Sequence, residues 1–323
     1  MILTQTPLRI SLAGGGTDDP TYAAERGGYA ITAAIDKYVY VAISDQFNDG
    51  YLLKYSETED ADTIDDVRHP ILREALRYFN IPPHVEIASL ADIPSGTGLG
   101  SSAAFTVGLC LALAFYRGTD FKRLSNEHAF NQAEAAYRAA QIELELLKRP
   151  GGRQDHAATA MGGMSELRFG RDSIDARHLD IKPRMVTRLA DRLVLFYTGY
   201  RRQADTILST QTRDGLDEIK EIGYLSADML RKGKVDEYGE LLNDHWRLKR
   251  KRSPEMSNQL IDDCYDIALG NGAIGGKLVG AGGGGFLMFV TNDKDRLIDA
   301  MTRQGLRHTP FKFDFVGTTV IAR

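Results

Sequence analysis

Nine residues carry the strongest chemical signal in this sequence, and they read Pro94-Ser-Gly-Thr-Gly-Leu-Gly-Ser-Ser102 before an apolar stretch that ends at Tyr116. Three glycines in five positions allow a tight loop that brings backbone N–H groups close to a ligand. A helix that begins here offers unpaired N–H groups and the positive end of its dipole, which suit a phosphate. We therefore predict a nucleotide-phosphate site made by Pro94, Ser95, Gly96, Thr97, Gly98, Leu99, Gly100, Ser101 and Ser102.

Two other interpretations fit this stretch less well. A Gly/Ser linker would have polar neighbours instead of an apolar helix. A membrane span would be too short, because the continuous apolar part is about 14 residues and a bilayer needs ~20. The loop also lacks the pattern G-x-x-x-x-G-K-[ST], so it is not a Walker P-loop.

Acidic residues follow two breaks in the chain, where a side chain could point into a cleft. Asp18 and Asp19 come after Ala13-Gly-Gly-Gly-Thr17, and capping of the next helix competes there with binding of a polar ligand. Asp155 follows the helix break Pro150-Gly-Gly152, and a cap of the next turn is again the alternative. The local pattern leaves both choices open.

The bulk composition is typical of a soluble enzyme, with 323 residues, 43% hydrophobic and 26% charged, and it favours two domains. A net charge of −4 argues against a nucleic-acid partner and for small molecules. The only cysteines, Cys110 and Cys264, have apolar neighbours, which suits buried thiols in a reducing compartment. No secretory signal is visible, so we expect a cytoplasmic protein without a membrane partner.

Residue patterns predict an alternation of strands and helices. The first half predicts strands at 3–12, 29–44, 51–56, 84–89 and 164–169 and helices at 65–79, 103–116 and about 125–147. The polar stretch 171–190 has no clear periodicity and predicts a domain boundary. The second half predicts strands at 192–198 and 311–321, helices within 214–249, 257–269 and 293–304, and a strand pair within 273–290. This order is typical of a two-layer α+β sandwich.

Gly280-Ala-Gly-Gly-Gly-Gly285 contains the pattern G-x-G-x-x-G, but a strand follows it where a Rossmann fold needs a helix. We expect these glycines to let another loop pack closely against the backbone. The four cations Lys249–Arg252 follow a helix, and a solvated face is the usual interpretation of such a run.

Three glycine-rich blocks, in this order, resemble the signature motifs of the GHMP small-molecule kinases: Pro7–Asp18, Pro94–Ala103 and Lys277–Phe286. His69-Pro70, His245-Trp246 and Gln154-Asp155 add a resemblance to the D-glycero-D-manno-heptose 7-phosphate kinases. The resemblance implies an α+β, two-domain fold. Residues 1–175 would form an ATP-binding domain like domain 2 of ribosomal protein S5, and 176–323 a ferredoxin-like domain, with the ligands in the cleft between them.

The resemblance also implies roles for individual residues. Ser102 matches a hydroxyl that ligates Mg²⁺, and Glu143 matches the carboxylate ligand; one carboxylate is enough for this ion. Asp155 would accept the proton of the sugar hydroxyl, while Arg9 orients it or offsets charge near the phosphoryl group. Position 156 is His here, where many relatives carry Gln. Sugar contacts are implied for Gly15, Gly16, Thr17, Asp18, Arg153, Gly282 and Gly283.

We therefore expect an ATP- and Mg²⁺-dependent kinase that phosphorylates the anomeric C1 hydroxyl of a sugar phosphate, such as a heptose 7-phosphate, for nucleotide-sugar synthesis. Arg153 and the run Lys249–Arg252 are candidates to bind the distal phosphate. The alternatives are a kinase of an unphosphorylated sugar or of a mevalonate-type alcohol, and a non-catalytic sugar or nucleotide sensor. Ser102, Glu143 and Asp155 together favour the enzyme. The sugar and the oligomeric state, monomer or dimer, are left open.

Overall fold

The computed structural model describes residues 1–118, 131–200 and 204–323 of the chain. Its strands are β1 (Ile2–Ala13), β2 (Gly28–Asp45), β3 (Tyr51–Lys54), β4 (Thr58–Ala61), β5 (Val85–Ala91), β6 (Met164–Phe169), β7 (Ile174–His178), β8 (Leu193–Tyr197), β9 (Ala273–Leu278), β10 (Phe286–Thr291), β11 (Arg307–His308) and β12 (Thr319–Ala322). Its α-helices are α1 (Pro20–Arg26), α2 (Pro70–Tyr78), α3 (Ser101–Tyr116), α4 (Gln132–Ala140), α5 (Gln154–Met161), α6 (Pro183–Arg192), α7 (Ala204–Thr210), α8 (Leu216–Lys232), α9 (Val235–Arg250), α10 (Gln259–Gly270) and α11 (Lys294–Arg303).

Strand β2 is the centre of the larger sheet. Its 18 residues pair with β1 over most of their length, while the first part also pairs with β6 and the last part with β5. The sheet has eight strands in the order β12-β1-β2-β5-β3-β4, and β6 and β7 extend it from β2. Apolar and β-branched residues favour such a buried strand. The strands predicted at 3–12 and 29–44 are confirmed.

Helix α3 packs against β1 and β2, and most of its 16 residues are buried. Burial on nearly every side explains why the helix carries no charged residue. It is therefore the core helix that the sequence predicts. No helix in the described ranges is long and apolar enough to cross a membrane.

The smaller sheet is antiparallel, with the strand order β11-β8-β10-β9. Helix α9 lies on β9, and α10 and α11 pack against each other beside it. The buried side chains of Trp246, Tyr265 and Phe289 form part of the core between these helices and the sheet. The predicted α+β class, with two sheets each covered by helices, is confirmed.

Several predicted elements differ in extent. The helix predicted at 65–79 begins only at Pro70, because Ile64–Asp66 forms a separate 3₁₀ turn. Of the helix predicted at 125–147, residues 125–130 lie outside the described ranges; the described part is α4, continued by a π-helical turn, Gln141–Leu146. Of the strand predicted at 311–321, only β12 forms, at its end. The stretch 171–190 contains β7 and most of α6.

The division of the chain after residue 175 stays a prediction. Strand β7 crosses that point and pairs with β6, so it belongs to the larger sheet. The C-terminal strand β12 also returns to this sheet, where it pairs with β1. Consequently the smaller sheet is inserted between strands of the larger one, and the two parts of the molecule are joined by two crossings of the chain.

Two glycine-rich loops pack backbone against backbone where the two sheets meet. The phosphate loop (residues 94–100) precedes α3, and the third glycine loop (residues 279–285) joins β9 to β10. A Cβ atom on Gly98, whose φ is +83°, would lie 2.5 Å from the Val279 carbonyl oxygen. A Cβ on Gly280 or Gly285 would likewise meet backbone atoms of Gly98 or Thr97. The prediction that these glycines allow close packing of another loop is confirmed.

This packing predicts that Gly98→Ala destabilises the protein more than a glycine substitution in open space. Gly305 is a matched control, because its φ is +82° and a Cβ there would meet nothing within 4 Å. Both substitutions should lower the free energy of unfolding by about 1 kcal/mol, because alanine is strained in left-handed backbone. Gly98→Ala should lower it by a further ~1 to 3 kcal/mol, because the added methyl group forces the two loops apart. Urea unfolding measures both. Equal losses would show that the two loops are not closely packed.

Candidate active site

Two cavities meet at the start of α3. The inner cavity, about 220 Å³, is enclosed by the turn after β1, the start of α5 and the third glycine loop. The outer cavity, about 1000 Å³, lies between β5, α2 and α3. They share Gly96, Ser101, Ser102 and Arg149. Because the N-terminal N–H groups of α3 carry no side-chain cap, this junction is suited to an anion that reaches from one cavity into the other.

A bidentate ion pair joins β1 to α5 in the inner cavity. Arg9 Nε and Nη2 donate to the two carboxylate oxygens of Asp155, at 2.8 and 2.6 Å. Arg9 Nη1 donates to the Gly98 carbonyl oxygen at 2.6 Å. The Arg9 side chain is only 4% exposed, whereas that of Asp155 is 32% exposed. Arg9 therefore fixes both the phosphate loop and a carboxylate that still faces the cavity.

The two neighbouring acids in the turn after β1 have different partners. Asp19 caps α1, because its carboxylate accepts from the Tyr22 N–H at 2.8 Å. Asp18 lines the inner cavity and accepts from the backbone N–H groups of Gly16 and Gln154, each at 3.2 Å. Burial raises the pKa of Asp18, and the negative charge of the nearby Asp155 carboxylate raises it further. Asp18 thus connects this turn to α5 and presents an acid to the cavity.

Glu143 lies in the π-helical turn Gln141–Leu146, a local widening that often occurs at functional sites. Its carboxylate accepts from Ser102 Oγ at 2.7 Å, from Thr106 Oγ1 at 2.6 Å and from Arg149 Nη1 at 3.2 Å. Burial raises the pKa of Glu143, but hydrogen bonds from His156, Thr106 and Ser102 outweigh it and lower the value to about 2. The group is therefore ionised at neutral pH.

The donor set at Ser102 and Glu143 fits Mg²⁺. One hydroxyl and one ionised carboxylate lie beside the phosphate loop, and Mg²⁺ takes its other ligands from water and phosphate oxygens. Within the described ranges no group of three or more His, Cys, Asp or Glu could hold a metal ion. A site that holds Mg²⁺ here therefore needs the phosphates of a nucleotide to complete it.

Arg149 is a residue that the sequence reasoning missed. Its Nη1 donates to Ser102 Oγ at 3.0 Å as well as to Glu143, and the residue lines both cavities. An arginine so placed adds positive charge where the two cavities join. The only sequence signal was its position just before the helix break Pro150-Gly-Gly152.

Aromatic side chains line the outer cavity. The ring centroids of Tyr55 and His69 are 4.7 Å apart, and those of His69 and Phe105 are 5.6 Å apart. His69 also caps α2, because its Nδ1 accepts from the Leu72 N–H at 3.3 Å. Burial lowers the pKa of His69, which favours the neutral ring that this cap requires. A cavity with such walls suits a flat, uncharged ring such as a nucleobase.

Buried cations line the part of the inner cavity formed by α9 and β9. Lys277 is 1% exposed and Lys249 is 7% exposed, and both line the cavity together with Arg252. Burial is the main cause that lowers the pKa of Lys249 to about 7, and the positive charge of Arg252 is the next. Burial and the charges of Lys249 and Arg9 lower the pKa of Lys277 well below its usual value. The lowered pKa values reflect the burial of several basic groups together, without a nearby carboxylate among the described residues that would stabilise the ammonium forms of the two lysines.

Several buried polar atoms that line the inner cavity have no hydrogen-bond partner in the described part of the chain. They are Ser11 Oγ, Gln154 Oε1, His156 Nδ1 and both ring nitrogens of His245. Unpaired buried polar groups are unfavourable unless a ligand or water completes them. Donors and acceptors on several sides of one small cavity suit a ligand with several hydroxyl groups.

Some predicted site residues lie away from the cavity walls. Thr17 donates its hydroxyl hydrogen to the Gly14 and Tyr29 carbonyl oxygens and so holds its own turn. Arg153 pairs with Glu145 at 3.4 Å and does not line either cavity. Ser95 lines the outer cavity only. The inner cavity brings together Gly15, Gly16, Gly96, Gly98, Gly100, Ser101 and Gly282, whereas Pro94, Thr97, Leu99 and Gly283 support the loops behind it.

Comparisons with known proteins identify the family of this chain. The family model for the N-terminal domain of GHMP kinases matches residues 68–163, and that for GHMP kinases C terminal matches residues 226–306. Together they match more than half of the chain.

Relatives of similar length carry related activities. The D-glycero-alpha-D-manno-heptose 7-phosphate kinase of Campylobacter jejuni is 29% identical over 94% of each chain. The mevalonate kinase of Methanothermobacter thermautotrophicus is 29% identical over 80% of this chain and 82% of its own. The crystal structure of a D-glycero-D-manno-heptose 1-phosphate kinase from Bacteroides thetaiotaomicron has a TM-score of 0.80 at 24% identity, covering 100% of this chain and 99% of that one. The predicted two-domain fold is confirmed.

Glu143→Gln tests the proposed ion site. Loss of the negative charge should lower Mg²⁺-dependent ATP turnover about 30- to 1000-fold, the effect of losing one electrostatic contact to the reacting phosphoryl group, ~2 to 4 kcal/mol. Ser102→Ala, which removes only a hydroxyl, should lower turnover in the same way while the melting temperature changes little.

Glu145→Gln is the matched control, since Glu145 lies in the same π-helical turn but its side chain is half exposed. It should retain turnover. Wild-type turnover in Glu143→Gln would mean that neither Glu143 nor the site around it holds the ion.

Proposed function

This chain is a GHMP kinase, a phosphotransferase that acts on a hydroxyl group, and we propose that it transfers the γ-phosphoryl group of ATP to the C1 hydroxyl of a sugar phosphate. The proposed acceptor is a heptose 7-phosphate or a related higher sugar phosphate, and the product is then a 1,7-bisphosphate. The relative from Campylobacter jejuni, named for heptose 7-phosphate, supports this choice. Nucleotide-sugar synthesis is the proposed use of the product.

The Arg9–Asp155 pair carries the proposal. Asp155 is held in one orientation by two hydrogen bonds from Arg9 and yet remains partly exposed to the inner cavity. It would accept the proton of the C1 hydroxyl as that oxygen forms its bond to the γ-phosphorus, while the bond from phosphorus to the bridging oxygen breaks and ADP leaves. Arg9 would keep this carboxylate directed at the hydroxyl and offset negative charge that develops nearby.

Other contacts would position the two substrates. The aromatic outer cavity would take the adenine ring, and the free N–H groups of α3 with the phosphate loop would bind the triphosphate. Ser102 and Glu143 would hold Mg²⁺, which supplies positive charge to the phosphate oxygens. Arg149 would add a second positive charge at the same junction. Positioning and charge of this kind account for most of the catalysis in phosphoryl transfer.

The unpartnered polar atoms of the inner cavity favour a sugar as the acceptor. Ser11 Oγ, Gln154 Oε1 and His156 Nδ1 offer hydrogen bonds to hydroxyl groups, and Asp18 adds a carboxylate. A polyhydroxylated ring can use all of them, whereas a mevalonate-type alcohol has fewer hydroxyl groups to offer. A mevalonate-type acceptor remains the second candidate, because mevalonate kinases are among the relatives and the buried lysines would also suit a carboxylate.

The function is tested with a substrate panel. The purified protein is incubated with Mg²⁺-ATP and heptose 7-phosphate, heptose, galactose, fucose or mevalonate, and ADP release is followed. We expect the highest kcat/KM with heptose 7-phosphate and a new anomeric phosphate signal in the ³¹P NMR spectrum of the product. A higher kcat/KM with an unphosphorylated sugar or with mevalonate would contradict the proposed substrate.

Asp155→Asn tests the proposed base. The amide cannot accept the proton, so kcat should fall by ~10² to 10⁴ while the affinity for ATP stays near that of the wild type. Asp19→Asn is the control, because Asp19 caps α1 and does not line the inner cavity. An effect of Asp155→Asn on the KM for the sugar alone would make Asp155 a substrate contact and not a base.

A further inference from the structure

Two buried lysines in the inner cavity lack an anionic partner. Lys249 Nζ donates to the carbonyl oxygens of Leu278 and Gly280, at 3.0 and 2.5 Å. Lys277 is 1% exposed, and no carboxylate among the described residues contributes to its electrostatics. The charged groups that act on Lys277 are themselves cations, Lys249 and Arg9. Burial of like charges without a counterion is unfavourable, and such an arrangement is typical of a site that binds an anion.

The carboxylates of the cavity already have partners. Asp155 accepts two hydrogen bonds from Arg9. Asp18 accepts from two backbone N–H groups, and Glu143 accepts from Ser102, Thr106 and Arg149. None of these contacts reaches Lys249 or Lys277. No carboxylate in the described part of the cavity therefore pairs with the two lysines, and an anionic ligand would stabilise their ammonium forms.

Neighbouring groups add donors around the lysines. Arg252 lines the same cavity, is 4% exposed, and its Nε donates to the Thr212 carbonyl oxygen at 2.9 Å. His245 is 1% exposed, and neither of its ring nitrogens has a partner in the described part of the chain. A compact group of acceptor oxygens with two negative charges would satisfy two ammonium groups and an imidazole together.

We propose that Lys249 and Lys277, with His245 beside them, bind the phosphate group that the sugar substrate already carries. This proposal rests on the proposed function and names the residues that would make the enzyme specific for a phosphorylated sugar. The lysines line the inner cavity but not the outer one, whereas the start of α3 lines both. Of the cations considered from the sequence, Lys249 and Arg252 lie at this site, and Arg153 does not line it.

The γ-phosphate of ATP is the other source of the same chemistry, because the Arg9 charge acts on both lysines. The two sources make different predictions. If the lysines bind the sugar's own phosphate, their removal changes the affinity for the phosphorylated sugar and leaves the KM for ATP unchanged. If they bind the γ-phosphate, their removal changes the KM for ATP or the kcat by the same factor whichever acceptor is used.

The test uses Lys277→Met and Lys249→Met, in which a side chain of similar length loses its charge. Lys251→Met is the matched control, because Lys251 belongs to the same basic run but is exposed. Calorimetry without ATP measures the Kd of heptose 7-phosphate and of heptose. We expect wild type and Lys251→Met to bind heptose 7-phosphate at least 10-fold more tightly than heptose. In Lys277→Met and Lys249→Met, the affinity for heptose 7-phosphate should fall about 10-fold or more, while the affinity for heptose stays unchanged.

Thermal stability gives a second readout. A buried lysine without a counterion destabilises the free protein. Lys277→Met should therefore leave the melting temperature unchanged or raise it. Inorganic phosphate should raise the melting temperature of the wild type more than that of the variant. A lower melting temperature with unchanged phosphate binding would make Lys277 a structural residue and overturn the proposal.

Other results also separate the hypotheses. Equal losses for heptose and heptose 7-phosphate, or a raised KM for ATP, would overturn the proposed phosphate site. Absence of ADP release with every sugar phosphate would refute the proposed function. In that case the titration with inorganic phosphate still decides the site: lost binding in Lys277→Met supports it, and equal binding to wild type and variant contradicts it.

Discussion

The guanidinium of Arg9 holds the site together. It comes from the central part of β1, and its three nitrogens bind the Asp155 carboxylate and the Gly98 carbonyl oxygen. One rigid, planar group thus sets the distance between the phosphate loop and the carboxylate on α5. Arg9 itself is fixed in β1, because it pairs with Ala34 of β2 and its backbone N–H donates to the Leu99 carbonyl oxygen at 3.0 Å. The arrangement that we propose for phosphoryl transfer depends on this contact, since reacting groups must be positioned closely.

Around that contact, glycine-rich backbone and basic side chains are packed closely together. The phosphate loop and the third glycine loop approach so closely that a side chain on Gly98 would strike the Val279 carbonyl. Burial lowers the pKa values of Lys249, Lys277 and Arg252; the Arg252 charge lowers that of Lys249 further, and the Lys249 charge lowers that of Lys277 further. Burial of these cations is unfavourable in the free protein, and the phosphate groups that we propose to enter the cleft would compensate for it. Such features commonly mark functional sites.

Sequence reasoning reached the main features because they depend on local chemistry. Glycine spacing identified the phosphate loop, and the lack of charge identified α3 as buried. Helix α6 was missed although Met185, Val186 and Leu189 recur at helical spacing, because the polar residues around them made the stretch 171–190 resemble a linker. The places of Arg149, Lys277 and His245 in the cavity wall were missed for another reason. These residues are far apart in the sequence, and only the packing of the chain brings them to one cavity.

A double-mutant cycle on Arg9→Met and Asp155→Asn tests the central claim most directly. If the two residues act as one unit, either single substitution removes most of their joint effect, and the double variant has a kcat close to that of the slower single variant. The kcat of all four proteins, measured with saturating Mg²⁺-ATP and heptose 7-phosphate, gives the coupling. Losses in kcat that multiply would show that Arg9 and Asp155 act independently, and would contradict the account.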